Sequence, residues 1–211
     1  MPNGYWPTFK YSALIGIFMT RTISSARTSA PASTFLALKK EYLAADTQRE
    51  SVILQGRRVI SASKRVIRDC LGGRQANLGE LESAFKCLQK LVGSTGIPQP
   101  SYRAAAQEYC EAVFLAAYVS GKALPGHKIL GCDAESYILG LCDLSGEIFR
   151  YAVNSALAGD FTVMERARLF LGQVYDELSE LPLRGDARRK FDGIKYDLNK
   201  MDDHLLRRKS S

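Results

Sequence analysis

Two short runs of the 211-residue chain carry acids where helix-forming sequence is otherwise apolar. Between Arg103 and Lys122, AAAQEYCEAVFLAAYVSG holds only two charged residues, Glu108 and Glu111. Their i, i+3 spacing sets both carboxylates on one helix face. Between Glu135 and Arg150, SYILGLCDLSGEIF again holds only two, Asp143 and Glu147, one turn apart at i, i+4. Apolar residues nearly all round mark helices covered on most sides. A buried carboxylate without a partner is costly, so these groups need cations, shared protons or a metal ion. Pairing with Arg103, Arg150 or a basic helix would satisfy one doublet structurally. Two doublets on neighbouring helices, packed face to face, would instead build a four-carboxylate cluster, as bundles do when they assemble metal sites.

The donor types narrow the metal. Only His127 and His204 are present, and neither follows an acid of either doublet by three residues, so the Glu-x-x-His pattern of di-iron bundles is missing. An all-oxygen set suits Mg²⁺ or Mn²⁺ rather than zinc or iron. Such ions serve phosphodiester hydrolysis. The chain holds 29 Lys and Arg against 22 Asp and Glu, a net charge of +7, which fits a polyanionic partner without requiring one. At 100° per residue Arg57, Lys64 and Arg68 fall within about 40° of one another, away from the apolar stripe of their helix. Arg58 and Arg65 broaden that face, and Arg103 precedes the first acidic doublet. These six are the candidate nucleic-acid contacts; a solvated helix face would show the same pattern. Tyr102 and Tyr109 could stack bases or pack inside.

The elements that must position these residues are helical throughout. Phe35, Leu36, Leu38 and Leu43 open an amphipathic segment. The pairs Val52/Ile53, Val59/Ile60, Val66/Ile67 and Cys70/Leu71 then repeat at near-heptad spacing, predicting one long helix that ends at Gly72-Gly73. Further helices are expected over 78–92, 101–121, 134–158, 162–181 and 186–208, with Gly93 to Pro100 as a loop. The other connectors are short enough for an antiparallel bundle. Residues 1–30 differ: no acid occurs before Glu41, and Ser, Thr and Ala abound. Ala13 to Met19 is too short an apolar stretch to span a bilayer, and a poorly ordered extension is expected there. Residues 31–211 read as one all-α domain. Five cysteines without a C-x-x-C pair imply reduced thiols in a cytoplasmic protein.

QEYCEA (107–112) and GLCDLSGEIFR (140–150) resemble the translin/TRAX family, and within it the TRAX-like, catalytic-type subunit. NSALAGD (154–160) and RRKFDGIKYDLNKM (188–201) resemble the translin side of the same family, and the SKRVI segment (63–67) belongs to the wider likeness. The likeness covers roughly residues 45–205. It implies a seven-helix antiparallel bundle of the translin type and a metal-dependent endoribonuclease acting on single-stranded RNA, with single-stranded DNA as a further ligand. It also implies that Glu108, Glu111, Asp143 and Glu147 are the catalytic, metal-holding acids. A homo-octameric shell, or a hetero-oligomer with a translin-like subunit, follows from the same resemblance. TRAX-like acids beside translin-like C-terminal motifs depart from the pattern of either subunit, and a self-assembling, archaeal-type homologue is one reading of that mixture. A non-catalytic single-strand-binding scaffold of the translin type is the alternative. A closed shell would exclude stiff duplexes, and the α-helical stripe Phe191, Ile194, Tyr196, Leu198, Met201 and Leu205 offers a contact surface for it. AGDFT (158–162) resembles a nucleotide-binding stretch of translin, and a Gly-Asp helix junction capped by Thr162 accounts for it equally well.

Overall fold

The long heptad-like stripe and the apolar runs resolve into seven helices among the described residues, 31–93 and 100–209 of a computed structural model. They are α1 (Ala32–Leu71), α2 (Gly79–Gly93), α3 (Pro100–Val119), α4 (His127–Leu130), α5 (Ala134–Leu157), α6 (Thr162–Ser179) and α7 (Gly185–Lys209). No strand occurs among these residues. The expected extension over 1–30 lies outside the described residues. No described helix is long and apolar enough to cross a membrane.

The helix count agrees with expectation, yet its members differ. The opening segment at Phe35 and the long helix after it are one 40-residue helix, because nothing between them breaks the pattern. The seventh place goes to α4, a single turn of four residues too short to leave a periodic signal.

The chain divides into two units, Met1–Leu43 and Ala44–Ser211. In the first, the described residues open α1 and are exposed, including Phe35, Leu36, Leu38 and Tyr42. In the second, Val52, Val59, Val66 and Cys70 of α1 are buried. Gln55 of α1 donates its side-chain N–H to the Ala84 carbonyl of α2 at 2.9 Å.

Within this second unit α5 is the hub, packing against α3, α6 and α7. Its approach to α3 is very close at Gly140, where a Cβ would stand 2.6 Å from Cys110 Cβ and 3.2 Å from the Glu111 nitrogen. Only glycine lets the two backbones meet there. Asp133 caps α5, its carboxylate accepting from the Ser136 N–H at 2.8 Å.

At the AGDFT junction Gly159 turns at a φ of +93°. The Asp160 carboxylate then accepts from both the Thr162 N–H and hydroxyl. The local turn expected of this motif is therefore built by Asp160, and Thr162 is the donor rather than the cap.

On α7, Phe191, Ile194 and Met201 are 2%, 0% and 0% exposed, so half of the stripe expected to meet another subunit lies in this chain's own core, with Leu198 and Leu205 half-buried against it and Tyr196 exposed. Tyr109 stacks on Phe85 with ring centroids 4.0 Å apart and is buried, which removes it as a base-stacking platform. Of the five free cysteines four are buried; Cys110 and Cys132 touch at 3.3 Å, and Cys87 alone is exposed.

Candidate functional site

The α3–α5 crossing brings the two acidic doublets together. Glu108 and Glu111 descend from α3, Asp143 and Glu147 from α5. Through their negative charge Asp143 and Glu147 raise the proton affinity of both α3 acids, and Glu108 raises that of Glu111. Glu111 is the most enclosed, at 8% exposure, and forms no hydrogen bond or ion pair with the described residues. Burial first, then Asp143, Glu108 and Glu147, push its carboxyl up to about 8, while the Lys190 ammonium opposes them. Glu108 is raised by burial as well, an effect countered by Lys64 and Lys190 and reinforced by Asp143 and Glu147.

The α5 acids are differently placed. Both Asp143 oxygens accept from the Lys190 ammonium of α7, at 2.7 and 2.6 Å. The Gln107 amide of α3 also donates to Asp143. Glu147 is clasped by Arg150 one turn along α5, at 2.9 and 3.0 Å.

A cleft of about 520 Å³ opens over this crossing, and Lys64, Arg68, Glu108, Glu111, Glu147 and Arg150 are among the residues that line it. The cleft thus has a basic wall from α1 and an acidic floor from α3 and α5. Two of the six expected nucleic-acid contacts, Lys64 and Arg68, stand there. Arg57 is exposed on the same side of α1 and does not line the cleft. Arg58 and Arg65 line another groove beside Cys87, where Arg65 pairs with Glu80 at 2.5 Å. Arg103 pairs with Glu135 at 3.1 Å. The basic face read as one broad band is therefore split around α1.

Among the described residues, no group of three or more His, Cys, Asp or Glu stands close enough to hold a metal ion. The donor set fits a hard divalent cation in chemistry: four carboxylates, one of them buried and unpaired. It does not yet fit in position, because Lys190 holds Asp143 and Arg150 holds Glu147.

Lys190 is the residue of this site that motif reading missed. It shares a face of α7 with the fully buried Ile194 and Met201, at i+4 and i+11. A charge on an apolar stripe is the same signal that exposed the acids. Asp197 on that face gives it too, and accepts from the Ser145 hydroxyl of α5 at 2.9 Å.

The seven helices form an all-α bundle, and comparison with known proteins shows the family to which it belongs. The Translin family model matches residues 47–209, and the chain belongs to that family. Translin of Gallus gallus is 36% identical over 72 residues, 34% of this chain and 31% of that protein. Translin of Homo sapiens is 33% identical over 72 residues, 34% of this chain and 32% of that protein. The match thus spans about a third of the length of these relatives. Among solved structures, apo-NeC3PO superposes with a TM-score of 0.76 at 23% identity, covering 85% of this chain and 98% of that one. A complex of AfC3PO with duplex RNA gives 0.68 at 21% identity, covering 84% and 97%. At these identities the likeness is one of fold.

Proposed function

We propose that this chain is a TRAX-like, catalytic-type subunit of an archaeal-type assembly, a Mg²⁺- or Mn²⁺-dependent endoribonuclease that cleaves single-stranded RNA in the cytoplasm. The observation that carries the reading is Glu111, a buried residue whose carboxyl shares its cleft with Glu108 and Glu147, with Asp143 close enough to raise its proton affinity and Lys64 and Arg68 on the other wall. Those two cations would bind the phosphate backbone and seat a phosphodiester over the acids, an attraction that carries no sequence information. Glu108, Glu111 and Asp143 would hold the ion, with Glu147 completing or orienting the site. A bound ion supplies Lewis acidity for the attacking water and positive charge for the departing oxygen. Gln107, donating to Asp143, orients that carboxylate from the neighbouring helix.

The test is cleavage of a single-stranded RNA oligonucleotide with Mg²⁺, with Mn²⁺ and with a chelator. Glu108→Gln, Glu111→Gln and Asp143→Asn keep side-chain size while removing charge. Each should abolish most cleavage and leave helicity intact. Full activity in Glu111→Gln at saturating Mg²⁺ would overturn the metal role. AfC3PO has been solved with duplex RNA, so a duplex of the same sequence is the second substrate; equal cleavage of both would remove the single-strand selectivity.

The alternative, a single-stranded nucleic-acid-binding scaffold, draws support from the Lys190–Asp143 and Arg150–Glu147 pairs, which serve equally as structural ties. Under that reading RNA or DNA binds and no metal accelerates its breakdown. For assembly we favour a homo-octamer, with a hetero-oligomer containing a translin-like subunit as the other form. The exposed apolar residues of α1, Phe35, Leu36, Leu38 and Tyr42, offer a contact surface in place of the α7 stripe. Light scattering on the purified chain, with and without a translin-like partner, decides between a monomer and either oligomer.

A further inference from the structure

Asp143 is the best-held carboxylate of the cluster, and what holds it is a cation that belongs to the chain. The Lys190 ammonium meets both of its oxygens, at 2.7 and 2.6 Å, with the two side chains only 28% and 24% exposed. Lys190 comes from α7 and Asp143 from α5, so the contact is fixed by helix packing rather than by local sequence. The same ammonium lies within electrostatic reach of Glu108 and Glu111. A charge-assisted pair that is half-withdrawn from solvent is stronger than the usual surface bridge. A divalent ion held by Asp143 would need the oxygens that Lys190 occupies, and two cations cannot share them without strong repulsion.

We propose that Lys190 is the resident counter-ion of the acid cluster and competes with the divalent cation for Asp143. It is a positioning residue that sets how tightly the site takes metal. The proposal rests on the metal-dependent reading above and adds to it the residue that opposes loading. By linkage, whatever free energy the Lys190–Asp143 pair contributes in the metal-free state is subtracted from ion binding, and the coupling is reciprocal. With Lys190 displaced, its flexible four-carbon stem leaves the ammonium free to meet a phosphate at the mouth of the site.

Lys190→Met tests this, since it keeps the stem and removes the charge; Lys190→Arg keeps the charge. Mn²⁺ binding to the intact chain is read from the electron paramagnetic resonance of free Mn²⁺, with the Mn²⁺-induced rise in thermal midpoint as a second readout. Neither requires RNA or turnover. Lys190→Met should bind Mn²⁺ about tenfold more tightly or better, and show a larger midpoint rise. Lys190→Arg should stay near wild type. Adding Asp143→Asn should erase the difference between Lys and Met at position 190. Wild-type binding that is lost in Asp143→Asn but unchanged or weakened in Lys190→Met overturns the competition and leaves the metal site standing. Tightening that persists in the Asp143→Asn background also overturns it. Binding absent from every variant removes the metal reading and this inference with it. Binding by Lys190→Met alone, with none by wild type, supports the competition in its strongest form.

Discussion

Replacing Gly140 by alanine should separate two effects that normally arrive together. In the middle of α5 the substitution gains about 1 kcal/mol of helix propensity. The new Cβ would stand 2.6 Å from Cys110 Cβ, 3.1 Å from the Gln107 carbonyl oxygen and 3.2 Å from the Glu111 nitrogen. Carbon atoms in contact prefer about 3.5–4.0 Å, so α3 and α5 must part by roughly 1 Å. None of these atoms is the end of a flexible side chain, and overpacking of this kind costs about 1–3 kcal/mol, here toward the upper end. The net effect is a loss of about 1–2 kcal/mol, lowering the thermal midpoint by about 2–8 °C for a chain of this size. Gly146→Ala is the matched control on the same helix. Its Cβ would meet only an Asp197 carboxylate oxygen at 3.9 Å. It should keep the propensity gain and raise the midpoint by about 2–4 °C. Far-UV circular dichroism during heating reads both. Midpoints that move in the same direction would refute the claim that glycine at 140 is required by the helix crossing.

Three further outcomes follow from the same structure. Glu111, raised from 4.5 to about 8 chiefly by burial and then by Asp143, Glu108 and Glu147 against Lys190, gives the metal-free protein stability that is full below about pH 4.5 and lost as the pH climbs through about 8; Glu111→Gln should therefore flatten the pH dependence of urea unfolding, matching wild type near pH 4.5 and exceeding it near pH 9, and parallel curves would contradict this. Lys64→Ala with Arg68→Ala should weaken RNA binding and reduce the slope of log affinity against log salt by about 1.4 for a single strand, whereas Arg58→Ala with Arg65→Ala, on the other side of α1, should leave the slope unchanged in a fluorescence-anisotropy titration. Ser63→Ala removes a fully buried hydroxyl that has no hydrogen-bond partner among the described residues, so chemical denaturation should show a gain of about 1 kcal/mol, and a loss would reveal a partner for that hydroxyl.

The acids were legible in the sequence because they violate a pattern: Glu108, Glu111, Asp143 and Glu147 interrupt helices that are otherwise apolar, and such interruptions need a reason. The helix ends near residues 71, 92, 157 and 179 were legible for an equally local cause, since Gly, Pro and polar clusters follow them. What escaped was set by tertiary packing. Lys190 lies 47 positions from Asp143, and nothing in either segment says that α7 crosses α5 at that point. Arg58 and Arg65 were joined to Lys64 and Arg68 because all stand on one helix, yet neighbouring helices divide its circumference, and α2 holds Arg65 through Glu80. The α7 stripe was correctly apolar, but Phe191, Ile194 and Met201 turn inward while Tyr196 alone stays exposed. Amphipathicity shows that a face is covered, and the fold decides whether the cover is the chain itself.

The exposure of a single cysteine has a use beyond stability. Cys87 lies in the groove of Arg58, Arg65 and Glu80, away from the acidic cleft, while the other four thiols are shielded by the bundle. The wild-type chain therefore carries a built-in attachment point for a maleimide spin label or fluorophore, one per molecule and clear of the acids. A tag at that position would report distances to labelled RNA, or between copies in an assembly, without replacing any residue of the cleft.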